Sequence, residues 1–236
     1  MSILSLLSIL SELNTRPSPP FAPDLMRTYL TEFIGTFFLV FTVCTTGASG
    51  SEFAPVAIGA VLMVMVYMGG HISGAHYNPA VTLAVFLRGK LAKRDVAPYM
   101  LMQLFGAIFA AFIARWLTSK YAVPEPSLEM TKLGAVFGEF LFTFALALVV
   151  LNVATASKTA GNSYYGLAIG FTIMAGAFAV GSLTGGAFNP AVGTGPAIVR
   201  AAFDGGSLAN VWIYLVGPFL GGAAAAGVFR LQNPGD

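Results

Sequence analysis

Two stretches hold the residues whose types and spacing could do chemistry: "HISGAHYNPAVTLAVFLR" at 71–88 and "SLTGGAFNPAVGTGPAIVR" at 182–200. Each sets hydroxyl, glycine and asparagine residues between two apolar runs and then opens a helix. Asn is a preferred N-cap and Pro suits the first helical position, so Asn78-Pro79-Ala80 and Asn189-Pro190-Ala191 each predict a helix start. A helix start alone does not call for two copies, each after a polar loop in an apolar setting. A carboxamide both accepts and donates. If Asn78 and Asn189 cap their own helices through oxygen, each NH₂ is left to donate to a passing molecule with a lone pair, such as water or an alcohol. Each helix N-terminus adds roughly half a positive charge, which in a low-dielectric wall repels cations, hydronium included. The chemistry implied is selective passage rather than bond-making.

The elements that must position these residues follow from composition. Of 236 residues, 56% are hydrophobic and 9% charged, against roughly 25% charged in soluble domains. This is the composition of an all-α membrane protein. Between Glu52 and Arg88 lie 35 uncharged residues, and between Lys158 and Arg200 lie 41. About 20 residues cross a bilayer, so each gap is too long for one span and too short for two with a loop. One and a half spans fit. Apolar runs predict six transmembrane helices near 26–47, 54–71, 97–118, 131–152, 163–182 and 208–230. Two re-entrant half-helices are predicted at 78–88 and 189–200, each about 17 Å long at 1.5 Å per residue. Irregular backbone at bilayer depth is tolerated only where it is buried in protein or lines a water-filled cavity, so the polar loops imply a cavity.

The chain also repeats itself. "LTEFIGTFFLVFTV" at 30–43 matches "FGEFLFTFALALVV" at 137–150, and "HYNPAV" matches "AFNPAV". Three spans per copy is an odd number, so the second copy enters from the opposite face and the repeat is inverted. The expected organisation is an N-terminal tail at 1–24, a first half-repeat at 25–123 and a second at 124–232, together forming one channel. The Pro cluster at 17–23 makes the tail an extended or surface-lying arm. Head-to-head half-helices then present Asn78 and Asn189 to one another near the midplane. Arg16, Arg27, Arg88, Lys90, Lys93, Arg94, Lys158 and Arg230 fall on the side of both termini, and Arg115, Lys120, Lys132 and Arg200 on the other; eight against four predicts that both termini are cytoplasmic. Small residues four apart, at Gly134/Gly138, Gly166/Gly170 and Gly217/Gly221, predict close helix crossings.

Other classes find little support. A net charge of +2 without a basic stripe leaves no nucleic-acid footprint. Cys44 stands alone, so no intramolecular disulfide forms, and its apolar run predicts burial. His71 and His76 match no metal-ligand spacing. No nucleophile, base and orienting residue group together, so an enzyme is not expected. Intramembrane Glu32 and Glu139 are read as acceptors for loop N–H groups, in preference to an ion relay.

The twin Asn-Pro-Ala motifs, "SGAHYNPAVTLA", "EFIGTF" in the first span and "VWIYLVGPFLGG" in the last resemble the major intrinsic protein family, the aquaporins and glycerol facilitators, over about residues 26–230. The resemblance implies a homotetramer with one pore per subunit and no cofactor. It also implies that the match to His76 braces the first loop. In water-selective members an outer constriction has an Arg three residues after the second motif's Asn. Here that place holds Val192, and ungapped counting assigns the other three positions to Ile58, Ala177 and Gly186, with Phe178 adjoining Ala177. Val192 is similar to the tonoplast aquaporins of plants. Gly193 is not the Asp of glycerol facilitators, and Ala197 is water-channel-like. A ring of Ile, Ala, Gly and Val is wide, apolar and without a fixed cation. The expected function is a passive channel in the cell membrane for water and small neutral solutes such as glycerol, urea, ammonia or hydrogen peroxide. The alternatives are a strict water channel and a proton- or ion-coupled secondary transporter.

Overall fold

The computed structural model describes residues 23–236; the tail expected at 1–24 lies outside the described residues except for Pro23 and Asp24, which already belong to the first helix. That helix, α1 (Pro23–Ser49), starts on a proline, a residue suited to a first turn whose N–H groups have no intrahelical partner. After it come α2 (Ala54–Ser73), α3 (Pro79–Leu87), α4 (Lys93–Thr118), α5 (Lys132–Val150), α6 (Tyr165–Thr184), α7 (Pro190–Asp204) and α8 (Val211–Gln232). No strand occurs among the described residues. Helices α1, α2, α4, α5, α6 and α8 are long and apolar enough to cross a membrane. Their outward faces carry Phe105, Phe109, Phe137, Phe171 and Leu220, all largely exposed. Lipid is as apolar as these side chains, so the surface of the molecule needs no polar cover.

Differences from the sequence-based boundaries have local causes. The second half-helix runs past Arg200 to Asp204 and stops where Gly205 takes the left-handed conformation at φ 63°, a C-terminal device suited to glycine. Helix α5 ends at Val150 and passes into a π-helical turn over Leu151–Thr155. Within that turn the Thr155 hydroxyl donates to the Leu151 carbonyl at 2.6 Å.

Helix crossings hold the frame. Helix α1 packs on α4, α5 on α8, and α2 on α6. A Cβ at Gly106 would lie 2.6 Å from the Phe33 carbonyl, and one at Gly221 would lie 2.6 Å from the Phe140 carbonyl. Gly217 likewise meets the Val136 carbonyl, Gly166 meets that of Met63, and Gly138 meets Thr184. Gly134 departs from the expected pairing: it faces Met130 and Thr131 in its own N-terminal turn rather than another helix. Matching residues occupy matching places in the two halves. Thr36 donates to the carbonyl of Glu32 at 2.8 Å as Thr143 does to that of Glu139 at 2.7 Å.

Candidate functional site

The two short helices begin alike. Asn78 (φ −156°, ψ 120°) caps α3 and Asn189 (φ −161°, ψ 117°) caps α7, each side-chain oxygen accepting from the N–H of the alanine two residues on, at 2.9 Å. The NH₂ groups are not wholly free, as the sequence reading had them. Asn78 Nδ2 donates to the Phe188 carbonyl at 2.9 Å, and Asn189 Nδ2 donates to the Tyr77 carbonyl at 2.9 Å. An amide carries two N–H donors. One of each pair therefore ties the two half-helices together, and the second is left to the cavity that both asparagines line. The partner types also fix each amide's orientation, oxygen toward a donor and nitrogen toward an acceptor.

Ahead of each cap the chain turns sharply. Gly74 and Gly185 are left-handed at φ 84° and 95°. Ala75, Tyr77 and Phe188 also have positive φ, at 52°, 49° and 47°, a conformation costly for residues with a Cβ. Two buried carboxylates compensate. Glu32 accepts from Ser73 Oγ at 2.6 Å, His76 N at 3.0 Å, Tyr77 N at 2.8 Å and Gln103 Nε2 at 2.8 Å. Glu139 accepts from Thr184 Oγ1 at 2.8 Å, Ala187 N at 3.0 Å and Phe188 N at 2.5 Å. Each strained aromatic thus donates its N–H to a carboxylate on the neighbouring span, a charge-assisted bond stronger than a neutral one. His76 sets its Nδ1 3.1 Å from Thr82 Oγ1, and its ring lies 5.0 Å from that of Tyr99. Both carboxylates are fully buried and neither lines the cavity.

Several of these partners escaped the sequence reading. Ser73 and Thr184 donate to the carboxylates, Gln103 also reaches Thr82 at 2.9 Å, and the Tyr99 and Tyr214 hydroxyls donate to the carbonyls of Ser73 and Thr184 at 2.7 Å each. A signal was present for the hydroxyls, since Ser73 and Thr184 stand at the same distance before their asparagines. Nothing local marks Gln103 or the tyrosines.

The cavity is an hourglass. A vestibule of about 460 Å³ is lined by Thr46, Ala54, Ile58, Pro124, Glu125 and Arg200. The opposite vestibule, about 500 Å³, is lined by Val66, His71, Lys90 and the 153–162 segment. Between them a neck leaves about 20 Å³ for the centres of water molecules, near the least that admits one water. The neck shares Val43 and Ile58 with the first vestibule and Ile169 with the second. Its wall is aliphatic, from Leu39, Leu62, Leu146 and Ile173, broken by the asparagines and the loop residues. Of the four residues expected at the outer constriction, Ile58, Gly186 and Val192 line the neck. Ala177 lines neither the neck nor the vestibule at that end, and its neighbour Phe178 is 56% exposed and likewise absent from both. At that mouth Arg200 is paired with Glu125 at 2.7 Å. Cys44 is buried, 4% exposed, off the neck, and no group of three or more His, Cys, Asp or Glu side chains suited to a metal occurs among the described residues.

The chain is similar to known proteins over most of its length. The family model described as "Major intrinsic protein" matches residues 21–229. A glycerol uptake facilitator protein-like 6 of Lactiplantibacillus plantarum is 38% identical over 221 residues, covering 89% of this chain and 100% of that protein. Nodulin-26 of Glycine max is 35% identical over 231 residues, 93% of this chain and 81% of its own length. The X-ray structure of the aquaglyceroporin from Plasmodium falciparum superposes with a TM-score of 0.77 at 23% identity, covering 87% of this chain and 95% of that one, a likeness of fold. With its family match running from the start of α1 through both half-helices and into the last turn of α8, the chain belongs to the major intrinsic protein family.

Proposed function

We propose that the chain is a passive, bidirectional channel for water and small neutral solutes, of the class of glycerol, urea, ammonia and hydrogen peroxide. One observation carries the reading: two asparagine-capped half-helices, cross-bonded at their tips, face a neck whose wall is aliphatic apart from the asparagines and the loop residues. A solute with a lone pair accepts from the remaining amide N–H groups as it sheds water. Opposed helix N-termini make the same place unfavourable for cations. Ile58, Ala177, Gly186 and Val192 form the outer ring in this reading, with Ala177 recessed, and the lack of a fixed cation there leaves room for a carbon skeleton. Glu32, Glu139 and His76 serve as braces for the two loops. Glu32 accepts from four donors and Glu139 from three, both buried away from the neck, which argues against a proton relay and hence against a coupled transporter.

The proposed assembly is a homotetramer with a pore in each subunit, lying in the cell membrane with both termini cytoplasmic. The relative named as a glycerol uptake facilitator supports glycerol within that range. Stopped-flow light scattering on proteoliposomes tests it solute by solute. Water flux together with glycerol or urea flux is expected. Water flux with none of the four solutes would make this a strict water channel.

A further inference from the structure

The two half-helix tips exchange the same bonds, yet the residues that receive those bonds are held differently. Tyr77 and Phe188 stand at the interval that separates Asn78 from Asn189, and each offers its carbonyl to the opposite asparagine. Each also donates its N–H to a buried carboxylate. Beyond that the halves part. The Tyr77 ring enters a slot between α1 and α2 that exists because Gly35 and Gly69 have no side chain: a Cβ at Gly35 would collide with the ring, and one at Gly69 with the hydroxyl. At the end of the slot the hydroxyl donates to the Met65 carbonyl at 2.9 Å. In the second half that glycine is replaced, since Phe142 follows Glu139 by the three residues that separate Gly35 from Glu32. Phe188 packs on the Phe142 ring, centroids 5.5 Å apart, and has no hydroxyl to anchor. Both aromatics are fully buried, but Tyr77 alone lines the neck.

Resting on the channel reading, we infer that Tyr77 is the positioning residue of the Asn189 amide: its ring and hydroxyl lock the carbonyl that takes one N–H, and the locked amide aims its other N–H into the neck. The two N–H groups of a carboxamide share one plane at a fixed angle, so an immobile acceptor for the first sets the direction of the second. Tyr77 has φ 49°, a conformation that persists only where its surroundings over-determine it. Holds at the N–H, the ring and the hydroxyl do so. A donor aimed in advance needs no reorganisation when a solute exchanges water for it, which lowers the barrier at that point. Asn78, whose acceptor lacks the hydroxyl hold, is the looser of the two donors.

Tyr77→Phe keeps the ring and removes the hydroxyl. Water permeability per folded channel in proteoliposomes is expected to fall about three-fold, the scale of one weakened neutral hydrogen bond, and its temperature dependence to steepen. Tyr67→Phe is the control: it removes from α2 a hydroxyl that donates to the Ser163 carbonyl at 3.1 Å, away from the tips, and should change neither quantity. A cycle of variants separates positioning from stability. Asn189→Ser keeps a preferred N-cap and removes the amide; in that background Tyr77→Phe should lower permeability no further, whereas in Asn78→Ser it should still lower it about three-fold. A hydroxyl that only stabilises the fold acts alike in both backgrounds and leaves the temperature dependence per channel unchanged. Either result, or no loss in Tyr77→Phe, overturns the assignment while leaving the channel intact. Tyr77→Leu, which also lacks the hydroxyl, replaces Tyr77→Phe should the latter not purify as a monodisperse protein. A parent protein that passes no water defeats the channel reading itself, an outcome distinct from these.

Discussion

The crossing of α2 and α6 beside the neck offers a quantitative test. Gly59 and Gly170 face each other there, each one residue past Ile58 and Ile169. A methyl at Gly59 would lie 2.7 Å from the Gly170 carbonyl oxygen and 2.8 Å from Met174 Cβ, where ordinary contact begins at 3.4 Å. Neither obstacle is the far end of a flexible chain, so in Gly59→Ala the two helices must separate by roughly 0.6 Å. A gap of that order forfeits about a quarter to a half of each dispersion contact along the seam. Overpacking of this kind costs roughly 2 kcal/mol, which for a chain of this size lowers the melting temperature by about 4–8 °C. Thermal unfolding of the detergent-purified protein, followed by size-exclusion fluorescence, reads the shift. Gly227→Ala is the control, because nothing lies within 4 Å of a methyl there; it is expected to melt at or slightly above the parent temperature. If Gly59→Ala melts with Gly227→Ala, the close crossing and the packing argument built on it are wrong.

The neck, the lone cysteine and the C-terminal segment support further expectations. Val192→Arg places a guanidinium in the neck and should reduce glycerol and urea flux by about ten-fold or more while water flux persists; unchanged solute flux would mean that Val192 does not face the pathway. Cys44 is buried with its thiol toward the Ala122 carbonyl at 3.7 Å, so mercurials should inhibit weakly, and a strong block abolished by Cys44→Ser would contradict its placement. Asp236 accepts from Ser157 N at 2.8 Å and pairs with Arg88 at 2.7 Å, joining the end of α3 to the 156–162 segment. The Ser157 N–H first, and the Arg88 charge after it, hold the Asp236 carboxyl below its ordinary value. Its contribution to holding that segment is therefore present above the ordinary carboxylate range and lost as pH falls through the lowered value. Protection from hydrogen exchange over 156–162, taken relative to free-chain rates at the same pH, should fall in Asp236→Asn at neutral pH, and in the parent only as the pH drops through the lowered value; equal protection in both at neutral pH would refute the latch.

What could be read from the sequence was whatever repeats or punctuates locally. The half-helices were legible because Asn-Pro is a cap and a first turn in four or five residues, and the spans were legible from charge-free length. The braces at Glu32 and Glu139 were legible as a need, since unpaired loop N–H groups at bilayer depth require acceptors. Gln103, Tyr99 and Tyr214 were not, because each sits in an apolar helix and meets the loops only once the helices pack. The cross-bonds from Asn78 to Phe188 and from Asn189 to Tyr77 were hidden for the same reason: they exist only when the two tips meet. Ala177 illustrates a limit of counting along a segment, which fixes a residue's register on α6 but not whether a side chain of one carbon reaches the neck.

The central claim is that neutral molecules pass between the two half-helix tips while charge does not. Water permeability and the decay of an imposed pH gradient, measured together in one preparation of proteoliposomes, test it most directly. The account predicts fast osmotic water flow and a pH gradient that decays no faster than in protein-free vesicles. Water flow no faster than through bare lipid, or a gradient collapsed by the protein, would contradict it.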